Sequence, residues 1–230
     1  MDFKINALQF KSVLDLVVSA VDSKNSNAQS YILIESLNDK EIRLTGSGID
    51  VSIQRTCPAE IKTEGKICIK ADKFLNVIKA FDSEVRIKSE SNDWAKISAG
   101  TKSNHRIPAL SGDDFPPFPE AINYDVVFPS NVLTSMVKST AFSVTSEESR
   151  FALYGVKLEI EDGIAKMIAT DGHRVAYREE EVDGNLNIFL PKKSLTFLGK
   201  LPSGELEIGE DLNHLFFKTD ELIMCTRKAT

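Results

Sequence analysis

The sequence predicts an α+β protein made of two tandem copies of one small module, each with two helices packed on antiparallel sheet. Two observations carry this reading. Stretches whose apolar residues recur at helical spacing alternate with short runs in which every second residue is apolar. The whole pattern then starts again about 120 residues further on, a repeat too long for a solenoid unit and suited to a duplicated domain.

In the first copy, Phe10, Val13, Leu14, Val17, Val18 and Val21 form one apolar stripe on a predicted helix over 7–24, with Lys11, Ser12, Asp15 and Ser19 on its other face. The polar run Ser23 to Ser30 breaks the pattern and reads as a flexible loop holding Lys24. Tyr31 to Ser36 and Glu41 to Thr45 flank Asn38-Asp39 as a hairpin, Ser47-Gly48 turns the chain, and Asp50 to Arg55 and Lys66 to Lys70 read as further strands. Phe74, Val77, Ile78 and Phe81 give a second helical stripe over 70–81, with Asp72 the expected N-cap. Glu84 to Ser89 and Trp94 to Ser98 close the copy as a hairpin. The stretch from Pro108 to Pro129 holds five of the eight prolines among acidic and small residues and reads as a linker. The expected domains are therefore 1–119 and 125–230.

The second copy repeats each piece. Val132, Leu133, Met136 and Val137 rebuild the first stripe over 130–142. Ile42 to Ile53 matches Ala165 to Ala176 at an offset of 123, Lys66 to Phe81 matches Leu186 to Leu201 at 120 with a helix over 191–200, and Glu84 to Ile87 matches Glu205 to Ile208 at 121. Gly155 to Glu161 alternates, Asp162-Gly163 is a hairpin turn, and Ile164 to Ile168 returns as the partner strand. The corner Thr170-Asp171-Gly172-His173-Arg174 follows, before Val175 to Arg178 leaves as another strand. The copy stops at Thr230, where its predecessor enters the Pro-rich stretch, so the chain is expected to be part of a longer protein.

Composition excludes several classes. With 42% hydrophobic and 27% charged residues the 230-residue chain is that of a folded globular protein. Met1-Asp2-Phe3-Lys4 opens no basic, apolar leader and no apolar run is long enough to span a bilayer, so the cytoplasm is the expected compartment. Cys57, Cys68 and Cys225 are odd in number, widely spaced and without a C-x-x-C pair, as expected of reduced core thiols. The net charge of −6 argues against a nucleic-acid partner. Its distribution argues the other way: the four predicted helices carry nine lysines against Asp15, Asp22 and Asp72, so the helices are basic and the remainder is acidic.

The corner admits three readings. Asp171 and His173 are acid/base and ligand residue types, which suits an enzyme. Asp171 also suits a purely structural turn, hydrogen-bonding turn amides while Gly172 supplies positive φ. A peptide-binding corner is the third. Catalysis wants a second constellation, and the sequence offers none: His105 and His214 lie elsewhere, and no nucleophile-elbow, zinc-helix or phosphate-loop motif occurs.

A-T-D-G-H-R-V-A at Ala169 to Ala176, preceded by S-E-E-S-R-F-A-L-Y-G at Ser146 to Gly155, resembles the second module of the bacterial DNA polymerase III beta subunit, the sliding clamp. S-G-D-D-F-P-P-F-P at Ser111 to Pro119 resembles that family's linker after its first module, and the resemblance runs over the whole chain. The family has three modules where this chain has two. The resemblance implies two clamp modules with no catalytic role and no cofactor or metal. It implies a peptide-binding pocket lined by Leu153, Thr170, Gly172, His173, Arg174 and Val175, which accepts short segments of the polymerase and the clamp loader. It also implies that paired helices line a head-to-tail dimeric ring around duplex DNA, with Lys24, Lys73, Lys79, Lys138, Lys192, Lys193 and Lys200 meeting phosphates without reading bases. His105 and Ile107 fall where the first module meets the third module of a second subunit, although the family more often has an aromatic at the position of His105; a plain edge strand is the alternative there. A protein-interaction scaffold that never meets DNA is the rival reading of the whole, and the lysine bias of the helices separates the two.

Overall fold

The computed structural model describes residues 1–22, 28–100, 103–147 and 153–228. The chain divides into two compact units, Met1–Phe118 and Pro119–Thr230.

The first unit runs β1 (Asp2–Asn6), α1 (Ala7–Ser19), β2 (Tyr31–Ser36), β3 (Glu41–Ser47), β4 (Val51–Pro58), β5 (Glu60–Thr63), β6 (Lys66–Lys70), α2 (Ala71–Lys79), β7 (Glu84–Glu90), β8 (Trp94–Ala99) and β9 (Ser103–Ser111). Its strands lie in the order β4-β3-β2-β6-β9-β8-β7-β1-β5, and the pairings are antiparallel. The alternation seen in sequence becomes a two-faced sheet. Val85 and Ile87 on β7 and Ala95 and Ile97 on β8 are buried while Lys88 is exposed between their rows.

Helix α1 starts where Asn6 accepts hydrogen bonds from the main-chain nitrogens of Leu8 (3.0 Å) and Gln9 (3.3 Å), satisfying donors the helix cannot pair itself. It buries Phe10, Val13, Leu14 and Val17. Phe10 meets Phe74 of α2 edge to face at 5.9 Å, so the two helices share one apolar seam. Burying a side chain of this size contributes roughly 1.5–3 kcal/mol, so the seam helps hold both helices in place.

The second unit repeats the order, among the described residues without a counterpart of β5, with β10 (Asn123–Pro129), α3 (Ser130–Thr140), β11 (Gly155–Glu161), β12 (Ile164–Thr170), β13 (Val175–Glu181), β14 (Leu186–Pro191), α4 (Lys192–Leu198), β15 (Glu205–Glu210), β16 (His214–Lys218) and β17 (Leu222–Arg227). Within this unit the strands fall into two groups, β13-β12-β11-β14 and β10-β15-β16-β17. The matching groups in the first unit are joined because β9, nine residues long, pairs with β8 and then passes its last three residues, Ala109 to Ser111, alongside β6. Strand β17 has six residues and makes no such crossing to β14. Helix α3 buries Leu133, Met136 and Val137, α4 buries Leu195 and Leu198, and the Thr134 hydroxyl donates to the Leu198 carbonyl at 3.1 Å.

Several sequence expectations are corrected. The helices end earlier than expected, at Ser19, Lys79, Thr140 and Leu198, so Val21 lies beyond α1, and both it and Val18 are only half-buried. Asp72 is not the cap of α2: β6 runs straight into the helix, the cap position falls on Lys70, and Asp72 already sits inside the first turn. An acid there still complements the helix dipole. The Pro-rich stretch is not all linker. Pro108 to Ser111 belongs to β9, Gly112–Asp114 is a 3₁₀ turn, and β10 starts at Asn123. The loop expected over Ser23 to Ser30 has its Ser23 to Asn27 part, with Lys24, outside the described residues; Ala28–Ser30 is a 3₁₀ turn leading into β2. Cys57, Cys68 and Cys225 are buried and free, and burial pushes the Cys68 and Cys225 thiols up to about 12.

One glycine sets how closely a helix approaches the sheet. A Cβ on Gly46 would lie 2.5 Å from the Val17 carbonyl oxygen and 2.9 Å from Val17 Cγ1, so α1 rests on the bare backbone of β3. Gly46→Ala is expected to destabilise the first unit by about 1–3 kcal/mol, the usual effect of overpacking. Trp94 is the sole tryptophan and lies in this unit, so urea unfolding followed by its fluorescence measures the effect. An unchanged midpoint would show that the helix is not seated this way.

Candidate functional site

Strands β12 and β13 pair from Ile164↔Glu181 to Thr170↔Val175, so the corner consists of the four residues between the last pair. Hydrogen bonds made within it fix its shape. The Thr170 hydroxyl donates to the Arg174 carbonyl at 2.8 Å and accepts from the Gly172 nitrogen at 3.1 Å. Asp171 Oδ1 accepts from the main-chain nitrogens of His173 (3.0 Å) and Arg174 (3.1 Å), and Oδ2 accepts from Arg174 Nε at 2.9 Å. Gly172 has φ 89°, a conformation that suits glycine.

Arg174 reaches out of the corner as well. Its Nη2 donates to the Phe142 carbonyl at 2.9 Å, and its guanidinium lies over the Phe142 ring at 5.5 Å. Phe142 belongs to the 3₁₀ turn Ala141–Ser143 that follows α3. It is 61% exposed, and Val175, the residue after Arg174, is 69% exposed, so two apolar side chains stand in solvent near an oriented cation. Sequence reasoning missed Phe142. The signal was an aromatic off the buried stripe of α3, which ends its buried positions at Thr140.

The other expected pocket residues lie at the same end of the sheet. Strand β11 pairs with β12 through Lys157↔Ile168, a register that runs on toward Gly155 beside Thr170, and half-buried Leu153 precedes it by two residues. His173 is exposed, and its main-chain nitrogen, rather than its ring, is what bonds Asp171. An acid/base pair is therefore not assembled here: the carboxylate is occupied by two amides and a guanidinium. Among the described residues no cluster of three or more His, Cys, Asp or Glu side chains could hold a metal ion.

The helix lysines divide into engaged and open ones. Lys79 pairs with Asp15 at 2.9 Å across α1 and α2, and Lys11 pairs with Asp82 at 2.6 Å. Lys192 donates to the Thr145 carbonyl at 2.7 Å and lies 5.4 Å from the Tyr154 ring centre. Lys193 is exposed and already has a partner. Lys73, Lys138 and Lys200 are exposed with no described ion pair. On β9, His105 is exposed and meets Phe81 edge to face at 5.6 Å, whereas Ile107 is 5% exposed and packs into the core of its own unit.

The Asp171 carboxyl is held below its ordinary value of 3.8, first by the His173 amide and then by the Arg174 amide and guanidinium, against the opposing effect of desolvation. A depressed folded-state pKa contributes stability that is present above the unfolded value and lost as pH falls through the folded one. The corner should therefore stay closed above the ordinary carboxyl value and open only as the pH falls further, through the depressed folded-state value. Amide exchange at His173 and Arg174 measures this; Asp171→Ala, which removes the acceptor, should give fast exchange at all pH, and protection in the parent chain that persists unchanged far below the ordinary carboxyl value would contradict the assignment.

A family model of the DNA polymerase III beta subunit N-terminal domain matches residues 1–119, and one of its central domain matches residues 127–228. The chain is 33% identical to the beta sliding clamp of Halalkalibacterium halodurans over 99% of its own length and 64% of that relative's. The structure is similar to the crystal structure of the DNA polymerase sliding clamp from Bacillus subtilis, with TM-score 0.90 and 26% identity over 100% of this chain and 65% of that one. It also shares the fold of the Helicobacter pylori beta clamp bound to DNA ligase peptide, with TM-score 0.87 and 20% identity over 99% and 66% of the two chains. The chain thus spans somewhat less than two thirds of the curated relative it matches. With both domain models matched in order from end to end of the repeat, it belongs to the DNA polymerase III beta subunit family.

Proposed function

We propose that the protein works as part of a DNA sliding clamp, the processivity factor of bacterial replication. In this reading the full-length protein forms a head-to-tail homodimeric ring around duplex DNA in the cytoplasm. It tethers the DNA polymerase III alpha subunit and the clamp loader by short peptides, without making or breaking a bond and without a cofactor. The observation that carries the reading is the ordered match of both family domains across the repeat.

The chemistry of the corner supports the peptide part. Leu153 and Val175 offer apolar surface, while the Gly172 backbone and Arg174 offer polar anchors, the combination by which a groove holds a short peptide. A neighbour of the same fold is described bound to a DNA ligase peptide, which makes a peptide the natural occupant. For DNA, exposed lysines on helices of both units meet phosphates as point charges, so binding is sequence-blind and depends on counterion release. Lys73, Lys138 and Lys200 are the primary contacts in this reading, with Lys193 and the paired Lys79 secondary, and Lys192 is better assigned to holding Tyr154 in place. For ring closure, the exposed His105 on β9 makes the contact and the buried Ile107 supports the strand from beneath.

Two measurements test this. Anisotropy with two unrelated duplexes should give equal affinities that fall about 40-fold between 50 and 200 mM salt if three phosphates are neutralised. The triple variant Lys73→Glu, Lys138→Glu, Lys200→Glu should abolish binding; sequence discrimination or salt independence would overturn the helix assignment. Titration with an apolar peptide should shift amide resonances at Leu153 and Gly172 to Val175. Leu153→Asp should weaken that binding by well over tenfold, the effect of losing a buried anchor, without unfolding the unit.

A further inference from the structure

We infer that Phe142 is a positioning residue for Arg174 and forms the aromatic wall of the peptide site. The inference deepens the peptide-binding reading given above and rests on it. An exposed phenylalanine alone means little. What distinguishes Phe142 is that its carbonyl and its ring engage the same guanidinium, the former at 2.9 Å from Nη2 and the latter at 5.5 Å from the guanidinium carbon.

Together with Asp171 on Nε, these contacts fix three sides of a planar group. Arginine is suited to such a role because its donors lie in one rigid plane. Nε faces the carboxylate, one Nη2 hydrogen faces the carbonyl, and one face lies on the ring, so Nη1 is the donor directed away from the corner. The side chain remains 60% exposed, so that edge is accessible. Phe142 touches the same guanidinium, and Val175, next to Arg174 in the chain, is likewise exposed. The ligand chemistry that fits is a peptide with a bulky apolar side chain resting against Phe142 and Val175 and a carbonyl or carboxylate oxygen on Nη1. Without the ring, the guanidinium keeps Asp171 and the Phe142 carbonyl but can swing off the aromatic face, and its donor edge loses a single direction.

The test compares Phe142→Ala, Phe142→Leu and Phe142→Trp with the parent chain. Each is read by exchange of the Arg174 Nε–Hε proton without ligand, and by amide shifts on titration with acetyl-Leu-Leu-Phe-amide and its free acid. Phe142→Trp should match the parent in both readouts. Phe142→Ala and Phe142→Leu should speed Arg174 exchange and weaken the peptide, each by about two- to five-fold, the size of a cation–π contact at an exposed site. Tighter binding of the free acid than of the amide would identify a carboxylate as the oxygen on Nη1, and equal binding a carbonyl; both support the orientation. Full rescue by Phe142→Leu would show that Phe142 supplies only apolar bulk and would overturn the inference. So would unchanged Arg174 exchange in Phe142→Ala. If the parent chain shows no shifts at Leu153 and Gly172 to Val175, the peptide-site reading fails and the wall goes with it, while the exchange comparison still decides whether Phe142 positions Arg174.

Discussion

The candidate site depends on one carboxylate. Asp171 accepts two main-chain amides and a guanidinium nitrogen, and these bonds shape the four-residue corner and aim Arg174. Charge-assisted hydrogen bonds of this kind are individually strong. At the surface, however, such an ion pair adds little to folding stability. Asp171 is thus chiefly a device for geometry. Folding stability comes from elsewhere, from fully buried side chains such as Phe3 and Phe74 in the first unit and Phe216 and Phe217 in the second. That division lets the corner vary its chemistry with little effect on the sheet beneath it.

The same separation governs the cations. Counted along the chain, the helices look densely basic, but some of that charge is used internally. Lys79 is paired across α1 and α2, and Lys192 is bound to the segment before β11 by a carbonyl and a tyrosine ring. Phosphate binding in this account relies on fewer, more widely spaced lysines. Such an arrangement suits a surface that must hold a polyanion loosely and let it slide, since a counterion-release contact carries no sequence information.

Much of the fold was legible because each module repeats one pattern of stripes and hairpins. The stripe through Phe10, Val13, Leu14 and Val17 is the buried face of α1, and the Asn38-Asp39 and Asp162-Gly163 turns join the strands that flank them. What was not legible has identifiable causes. Strand β1 is five residues long and runs directly into a helix, so Phe3 and Ile5 are too few to show a period of two. Strand β5 is short, polar and at an edge, and β10 follows a proline-rich run and itself ends on Pro129, so it reads as linker. Asp72 has the right residue type for a cap, but cap position is set by where β6 stops, which local sequence does not reveal. At the site, Asp-Gly announced the turn, because that hydrogen bonding is local. Phe142 did not announce itself, since it lies 32 residues from Arg174 and only the packing of α3 against β13 brings them together.

The central claim is that the chain holds a peptide at the corner of its second module and DNA on helices of both, as separate functions of separate surfaces. The most direct measurement is the affinity of a fluorescently labelled apolar peptide for this chain, by anisotropy at low salt, with and without a saturating unlabelled duplex. The account predicts the same dissociation constant in both conditions, with the DNA adding only mass to the complex. Displacement of the peptide by DNA would mean that both ligands use one surface, and would contradict it.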